Sequence, residues 1–413
     1  MNLIIRFSCA TQRWLLLHPN LLTRALLTLF YTVEVIVYSI QGARTFLTRR
    51  AEVCGRNFAS LGRLVVGEYD VVAEIIDNPQ RRGSFIGRGR MVSKRLPKSF
   101  LLFLSDEGAG GGEEHRVLHD YIWNTLIAKA QERVSEPDLA GYIDDLVQAV
   151  KAQGSSFTAK AITPDVQRMV IRYMMRVLFD FRATEAQVKT ISSLFYTGGP
   201  RSSYILSALK PLAPPEFLLG GLHRDTAEFR QLIEDSPALQ DYAPSADSGN
   251  LSKDQYCMLL MSVVGIAALG GGGNLATYVF TELPPDYPID LEDQEAVDRA
   301  VLETARRHPP VNNVNIILGK DKSFEVGGRS YTFPVGTVVA GSIGLASSDP
   351  AQFPDPTAFK PDRENLVSAI LNFNSVGYHP HGNSGLRTCP GRNVAMKMCG
   401  DLLVAWRKAT VGM

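Results

Sequence analysis

At 413 residues, with 45% hydrophobic and 21% charged content, the chain can bury a large core in one large domain or in two to three smaller ones. Its 43 Lys and Arg against 42 Asp and Glu leave a net charge of +1, a balance that gives nucleic acid no electrostatic footprint. Cys9, Cys54, Cys257, Cys389 and Cys399 are odd in number, widely spaced and without a C-x-x-C pair, which argues against a disulfide framework or a zinc site and makes a reducing compartment the default.

The chain opens on an apolar stretch, Trp14 to Gln41, in which Arg24 and Glu34 interrupt every run of about 18 uncharged apolar residues. We expect a packed amphipathic helix there, with peripheral lipid contact as the alternative, and no cleavage site of the small-x-small type follows the start. Residues 1–45 are therefore taken as an N-terminal apolar helical segment and 46–413 as a single domain.

Beyond it, segments 138–152, 164–179, 185–194, 253–269, 292–307 and 393–408 carry apolar residues at three- and four-residue spacing and predict helices. Strand patterns are fewer: 64–67, then a group at 314–318, 323–326, 331–333 and 338–340, broken by Gly327-Gly328 and by Pro334-Val335-Gly336. A mainly α fold with a small β-sheet is the simplest account. Within the long apolar segment 256–280, Gly270 to Gly273 stand in a row. Each glycine weakens a helix by about 1 kcal/mol relative to alanine. Because apolar periodicity resumes with Leu275, Tyr278 and Val279, a distorted helix is expected rather than a loop.

Three features carry chemistry. Glu303 and Arg306 lie three apart on a predicted helix and share a face, and Arg363 in Phe359-Lys360-Pro361-Asp362-Arg363 supplies a second arginine, so one carboxylate shared by two guanidiniums could form a buried clamp. Cys389 sits between Gly385-Leu386-Arg387-Thr388 and Pro390-Gly391-Arg392, just ahead of the last helix. A thiolate there is favoured by unpaired N–H groups and the positive end of the dipole, and Pro390 as the first helical residue costs no hydrogen bond. This arrangement can present one thiolate to a haem iron, with Arg387 in reach of a haem propionate; a buried structural cysteine is the alternative.

Glu303-x-x-Arg306, Phe359-x-Pro361-x-Arg363 and Arg387-x-Cys389-x-Gly391, in this order, resemble the cytochrome P450 family. Residues 334–339, Ser348-Asp349-Pro350 and Phe353-Pro354-Asp355-Pro356 also match its pattern, as do Glu114-His115-Arg116 and residues 64–67 upstream. The resemblance implies a P450-like fold with haem b buried between the long central helix and the cysteine loop. It implies Cys389 as metal ligand and Arg387, His115, Glu303, Arg306 and Arg363 as the cofactor-binding set. An intracellular location, cytoplasmic or membrane-associated, goes with it.

Two departures refine the expectation. The phenylalanine usual seven residues before the ligand is replaced by Gly382; with Phe373 as its counterpart, about nine extra residues precede Cys389, similar to the fatty-acid hydroperoxide branch of allene oxide synthases, hydroperoxide lyases and epoxyalcohol synthases. That branch has Asn-Gly about a dozen residues before its cysteine, where Val376-Gly377 stands here. Residues 267–277 also lack the acid-threonine pair of oxygen-activating members, and Asn274 is the asparagine available to orient a hydroperoxide, although it follows the glycines instead of preceding them. The resemblance thus implies a hydrophobic substrate, a fatty-acid hydroperoxide, cleaved without external dioxygen or an obligatory reductase, with residues 99–104 against the acyl chain. An NADPH- and reductase-dependent monooxygenase is the alternative. A truncated, inactive haem-binding homologue is the third reading, drawn from the short stretch after the ligand helix.

Overall fold

A computed structural model describes residues 2–77, 111–154, 157–195, 220–284, 287–380 and 388–410. Three helices open the chain, α1 (Asn2–Leu17), α2 (Leu21–Gln41) and α3 (Ala43–Cys54). The apolar stretch expected as one helix is divided at its N-cap: the Asn20 side chain accepts from the Thr23 N–H at 2.9 Å while the Thr23 hydroxyl accepts from the Asn20 N–H at 2.7 Å, a reciprocal cap that ends one helix and starts the next. Glu34, the charge that interrupts α2, is buried and holds that helix down. It accepts from Arg50 at 3.0 Å, Ser8 at 2.9 Å, Ser60 at 2.7 Å and the Leu61 N–H at 2.5 Å. By length and composition Leu21–Tyr38 could cross a membrane, and so could the largely buried stretch Lys253–Glu282.

The sheet follows from α1 to α3. Strands β1 (Phe58–Ser60), β2 (Arg63–Val66), β3 (Asn313–Ile317) and β6 (Val338–Ser342) lie in the order β1-β2-β6-β3, with β2 parallel to β6 and the other pairs antiparallel. The four strands expected to cluster in the C-terminal half divide instead. β4 (Lys322–Val326) and β5 (Arg329–Phe333) form a separate hairpin, because Gly327 and Gly328, both at positive φ, turn the chain straight back on itself. Ile5, Cys9, Leu15, Leu16 and Leu27 are buried in clusters shared with sheet residues such as Leu64, Val65 and Ala340, and the 45/46 line falls inside α3.

A larger helical body completes the fold. Apart from α4 (Tyr69–Asp77) and α15 (Ile343–Ala346), which share the core cluster of the sheet, the helices are α5 (Gly111–Ile122), α6 (Ala128–Arg133), α7 (Pro137–Lys151), α8 (Ala159–Phe179), α9 (Glu185–Phe195), α10 (Gly220–Glu234), α11 (Pro237–Gln240), α12 (Lys253–Ser262), α13 (Asn274–Glu282), α14 (Gln294–Arg307), α16 (Leu366–Ala369) and α17 (Arg392–Thr410). Helix α8 runs through its centre, burying Val166, Val170, Ile171, Tyr173 and Met175, and packs on α7, α9 and α13. It starts five residues before the expected 164 and carries Pro164 inside. Thr158 caps its start by accepting the Ala161 N–H at 3.2 Å, and the Thr163 hydroxyl adds a bond to the Ala159 carbonyl at 2.7 Å. Between α12 and α13 the chain stays helical but widens into a π-helix of 11 residues, Val263–Gly273. This is the distortion that the glycine row predicts.

Candidate functional site

The site is anchored from α14, which is buried from Ala300 to Arg306. Glu303 and Arg306, at 0% and 1% exposure, meet in a two-pronged pair of 2.7 and 2.8 Å, and the 9%-exposed Arg363 reaches the same carboxylate at 3.3 Å. The Lys360 N–H adds a fourth donor at 3.0 Å. The remaining guanidinium donors go to backbone: Arg306 to the Ser347 and Pro356 carbonyls, Arg363 to those of Pro354, Asp355 and Ala358. A buried pair in which every guanidinium nitrogen is bonded is held tightly, and breaking one partner typically costs about 3–5 kcal/mol. All these bonds end on protein groups, so the three residues assigned to cofactor binding act on the loop, fixing the chain from 347 to 363.

From Arg363 the loop runs through α16 to the cysteine. Arg299 donates to the Arg363 carbonyl at 2.7 Å, and the Gly377 and Tyr378 N–H groups bond back to Ile370 and Val367. Gly377 has φ +81° and a Cβ there would lie 3.1 Å from the Ser368 carbonyl, so only glycine closes this turn without strain. The fold delivers Phe373, buried at 6%, to the point where its carbonyl accepts the Cys389 N–H at 2.8 Å. That contact places Phe373 beside the cysteine across the long intervening stretch.

Cys389 is partly buried and packs against the main core cluster, which also contains Val264, Ala268 and Leu269 of the π-helix. Burial pushes its thiol above the ordinary value, opposed by the Gly391 N–H and by the Arg392 guanidinium. The helix dipole alone therefore does not ionise this sulfur; a coordinated metal cation would. Helix α17 starts at Arg392, with Pro390 in the turn ahead of it and not its first helical residue: the Arg392 N–H bonds the Cys389 carbonyl and the Ala395 N–H that of Gly391.

Sequence reasoning missed two buried groups that brace this loop. Arg392, 0% exposed, donates to the His379 carbonyl at 2.6 Å and the Cys389 carbonyl at 3.2 Å, with its guanidinium 4.7 Å from the Trp123 ring centre. His119, 3% exposed, donates through Nε2 to the Thr388 carbonyl at 2.8 Å. A signal existed for the second, since His119 falls one turn after His115 on α5. His115 itself is helical, but its side chain lies outside the described residues, as do Arg387 and residues 99–104. Asn274 opens α13, exposed, its amide nitrogen bonded to the Gly270 carbonyl at 2.6 Å. Thr277 is buried and its hydroxyl donates to the Gly273 carbonyl at 2.9 Å.

The donor set fits haem. Among the described residues no group of three or more His, Cys, Asp or Glu side chains could hold a bare ion, so a metal bound through Cys389 alone must bring its other ligands with it, as a porphyrin does. Gly270 and Gly271 meet nothing within 4 Å of a built Cβ, which leaves an uncluttered backbone along the helix.

Comparison with known proteins agrees. The family profile of cytochrome P450 matches residues 289–405. Cytochrome P450 3A15 of Cavia porcellus is 35% identical over 112 residues, 27% of this chain and 21% of that protein. The beta-dihydromenaquinone-9 omega-hydroxylase of Mycobacterium tuberculosis is 27% identical over 168 residues, 40% of this chain and 31% of that one. The match thus spans less than a third of these curated relatives' length. The crystal structure of P450BioI with a hexadec-9Z-enoic acid ligated acyl carrier protein superposes with a TM-score of 0.56 at 15% identity, covering 82% of this chain and 83% of that one. Profile and fold coincide over the cysteine loop: residues 289–405 are similar to the cytochrome P450 family, the chain carries a P450-like fold, and the cofactor these imply is haem b held by a cysteine thiolate, with Cys389 the candidate ligand.

Proposed function

We propose that the protein cleaves the O–O bond of a fatty-acid hydroperoxide without external dioxygen or a reductase, giving an allene oxide, an epoxyalcohol or an aldehyde. One observation carries this reading: between Asp254 and Glu282 the helix facing the cysteine loop's core cluster holds no acid, and its polar side chains Asn274 and Thr277 bond back to their own helix. Such a helix offers no carboxylate to relay protons onto dioxygen, whereas a hydroperoxide arrives with its O–O bond made. Haem on the Cys389 thiolate supplies the redox chemistry, the sulfur's electron donation favouring O–O scission. The bond from Asn274 to Gly270 commits the amide nitrogen and leaves the side-chain oxygen as acceptor for a hydroperoxide O–H. Val263, Val264 and Leu269, all buried, keep water from the helix beside it.

Support for a lipid substrate comes from P450BioI, described in complex with an acyl-carrier-bound hexadec-9Z-enoic acid. Leu3, Phe7, Leu21 and Leu22, each at least 68% exposed on α1 and α2, suit peripheral contact with an intracellular membrane from which such a substrate would come. The second reading, a reductase-fed monooxygenase of a hydrophobic substrate, is favoured by the mycobacterial relative being a hydroxylase by name. Anaerobic incubation of haem-loaded protein with polyunsaturated fatty-acid hydroperoxides decides between them. Loss of the conjugated-diene absorbance with no reductant present is the expected result; turnover only with dioxygen, NADPH and a reductase would move the assignment to the monooxygenase.

A further inference from the structure

Away from the cysteine loop, α1 and α3 bring two thiols to one pocket. Cys9, 6% exposed on α1, and Cys54, the partly buried last residue of α3, are neighbours, each thiol shifting the other's protonation. Both sulfur-bearing residues line a pocket of about 160 Å³ together with Arg6, Arg13, Phe58 and Val326. Arg6, Cys9 and Arg13 are spaced three and four apart, so one face of α1 sets a guanidinium on each side of the cysteine. The pocket is thus small, cationic at its rim and doubly thiol-lined, and nothing in the haem chemistry uses it.

We propose that Cys9 and Cys54 are a redox-active dithiol that exchanges with small carboxylate-bearing disulfides and closes to an intramolecular disulfide. Cys54 is the attacking sulfur. The neighbouring Cys9, against the opposing push of burial and with help from Arg50, Arg6 and Arg13, brings its thiol down to about 7. Cys9 is the resolving sulfur, pushed up by Cys54 and by burial, and so it keeps its proton until Cys54 has reacted. In the first step the Cys54 thiolate attacks one sulfur of RS–SR, forming Cys54–S–SR and releasing RS⁻. In the second, Cys9 passes its proton to a released thiolate and attacks the Cys54 sulfur, expelling the second RS⁻ and forming the Cys9–Cys54 bond. Two electrons pass from the protein dithiol to the incoming disulfide, which leaves as two thiols. Arg6 and Arg13 favour an oxidant with carboxylates near its sulfur, and thiol reductants of the same class reverse the reaction. Cys257, buried, is held up at about 11, and Cys399 is buried likewise and pushed higher, which makes both internal controls.

The test uses the full chain, haem-loaded, with oxidised glutathione and, separately, cystamine, a disulfide of similar size carrying amines in place of carboxylates. Peptide mass spectrometry should find Cys9 linked to Cys54, reversed by dithiothreitol, forming roughly tenfold faster with oxidised glutathione than with cystamine. The Cys9→Ser variant should stop at a glutathione adduct on Cys54, and Arg6→Gln with Arg13→Gln should level the two rates. Wild-type protein in which Cys54 stays free to alkylation and no Cys9–Cys54 link forms would overturn the proposal. So would cystamine reacting as fast as oxidised glutathione, or linkage through Cys257 or Cys399 instead.

Discussion

Around the buried Glu303, Arg306 and Arg363 each guanidinium nitrogen ends on a carboxylate or on a backbone carbonyl between residues 347 and 358. Along Val263–Gly273, 11 residues contribute four glycines in a row, no charge, and a backbone wound wider than an α-helix. Both regions serve the same cysteine loop, yet one is over-determined and the other is left weak. The clamp fixes its backbone with buried charge, whereas the helix we propose to face the substrate gives up side chains and helical stability.

The contrast can be broken from either side, and the largest effect is expected in the clamp. Glu303→Gln keeps the volume but leaves two buried guanidiniums without a counter-charge, and it should cost about 3–5 kcal/mol in urea unfolding together with most haem retention. A loss below about 1 kcal/mol would mean that the backbone bonds alone hold the loop. On the weak side, Asn274→Ala should lower hydroperoxide turnover about tenfold, near 1.4 kcal/mol, with unfolding free energy changed by about 1 kcal/mol or less. Equal turnover would remove Asn274 from the reaction. Gly271→Ala places its Cβ in open space and should raise stability by about 0.5–1 kcal/mol while slowing turnover, as read by thermal unfolding and by initial rates. A stability gain without any rate change would show that the wide helix serves no catalytic purpose.

The smallest expected effect is in the N-terminal helices. Burial pushes the Glu34 carboxyl up, but Arg50, the Leu61 N–H and Ser60 together hold it below its ordinary value of 4.5. A carboxyl depressed by folding adds stability that is complete above 4.5 and lost as the pH falls through its folded value. Acid unfolding followed by circular dichroism should therefore steepen below 4.5, and Glu34→Gln should flatten that limb. An unchanged limb would show that other carboxyls govern it.

What could be read in the chain was local. Glu303 and Arg306 are one helical turn apart, the glycines are consecutive, and Cys389 borders its own helix, so short spacing carries each signal. The clamp, the distorted helix and the bounds of α7 and α9, within a residue or so, follow from that. What could not be read depends on residues brought together from afar. His119 meets Thr388 across 269 positions, Arg392 uses its charge on a carbonyl 13 residues back and on the Trp123 ring, and Glu34 ties Ser8, Arg50 and Ser60 from separate elements. Strand β1, three residues long, has too little pattern to be seen without its partner β2. The C-terminal hairpin was misjoined to the sheet because alternation predicts strands but not which edges pair.

All of the chemistry rests on sulfur from Cys389 binding the haem iron. The most direct measurement is the carbon monoxide difference spectrum of the reduced, haem-loaded protein and of its Cys389→Ser variant, with Cys399→Ser as control. The thiolate-haem band should be present in the wild type and in Cys399→Ser and absent from Cys389→Ser; a band that survives in Cys389→Ser would contradict the account.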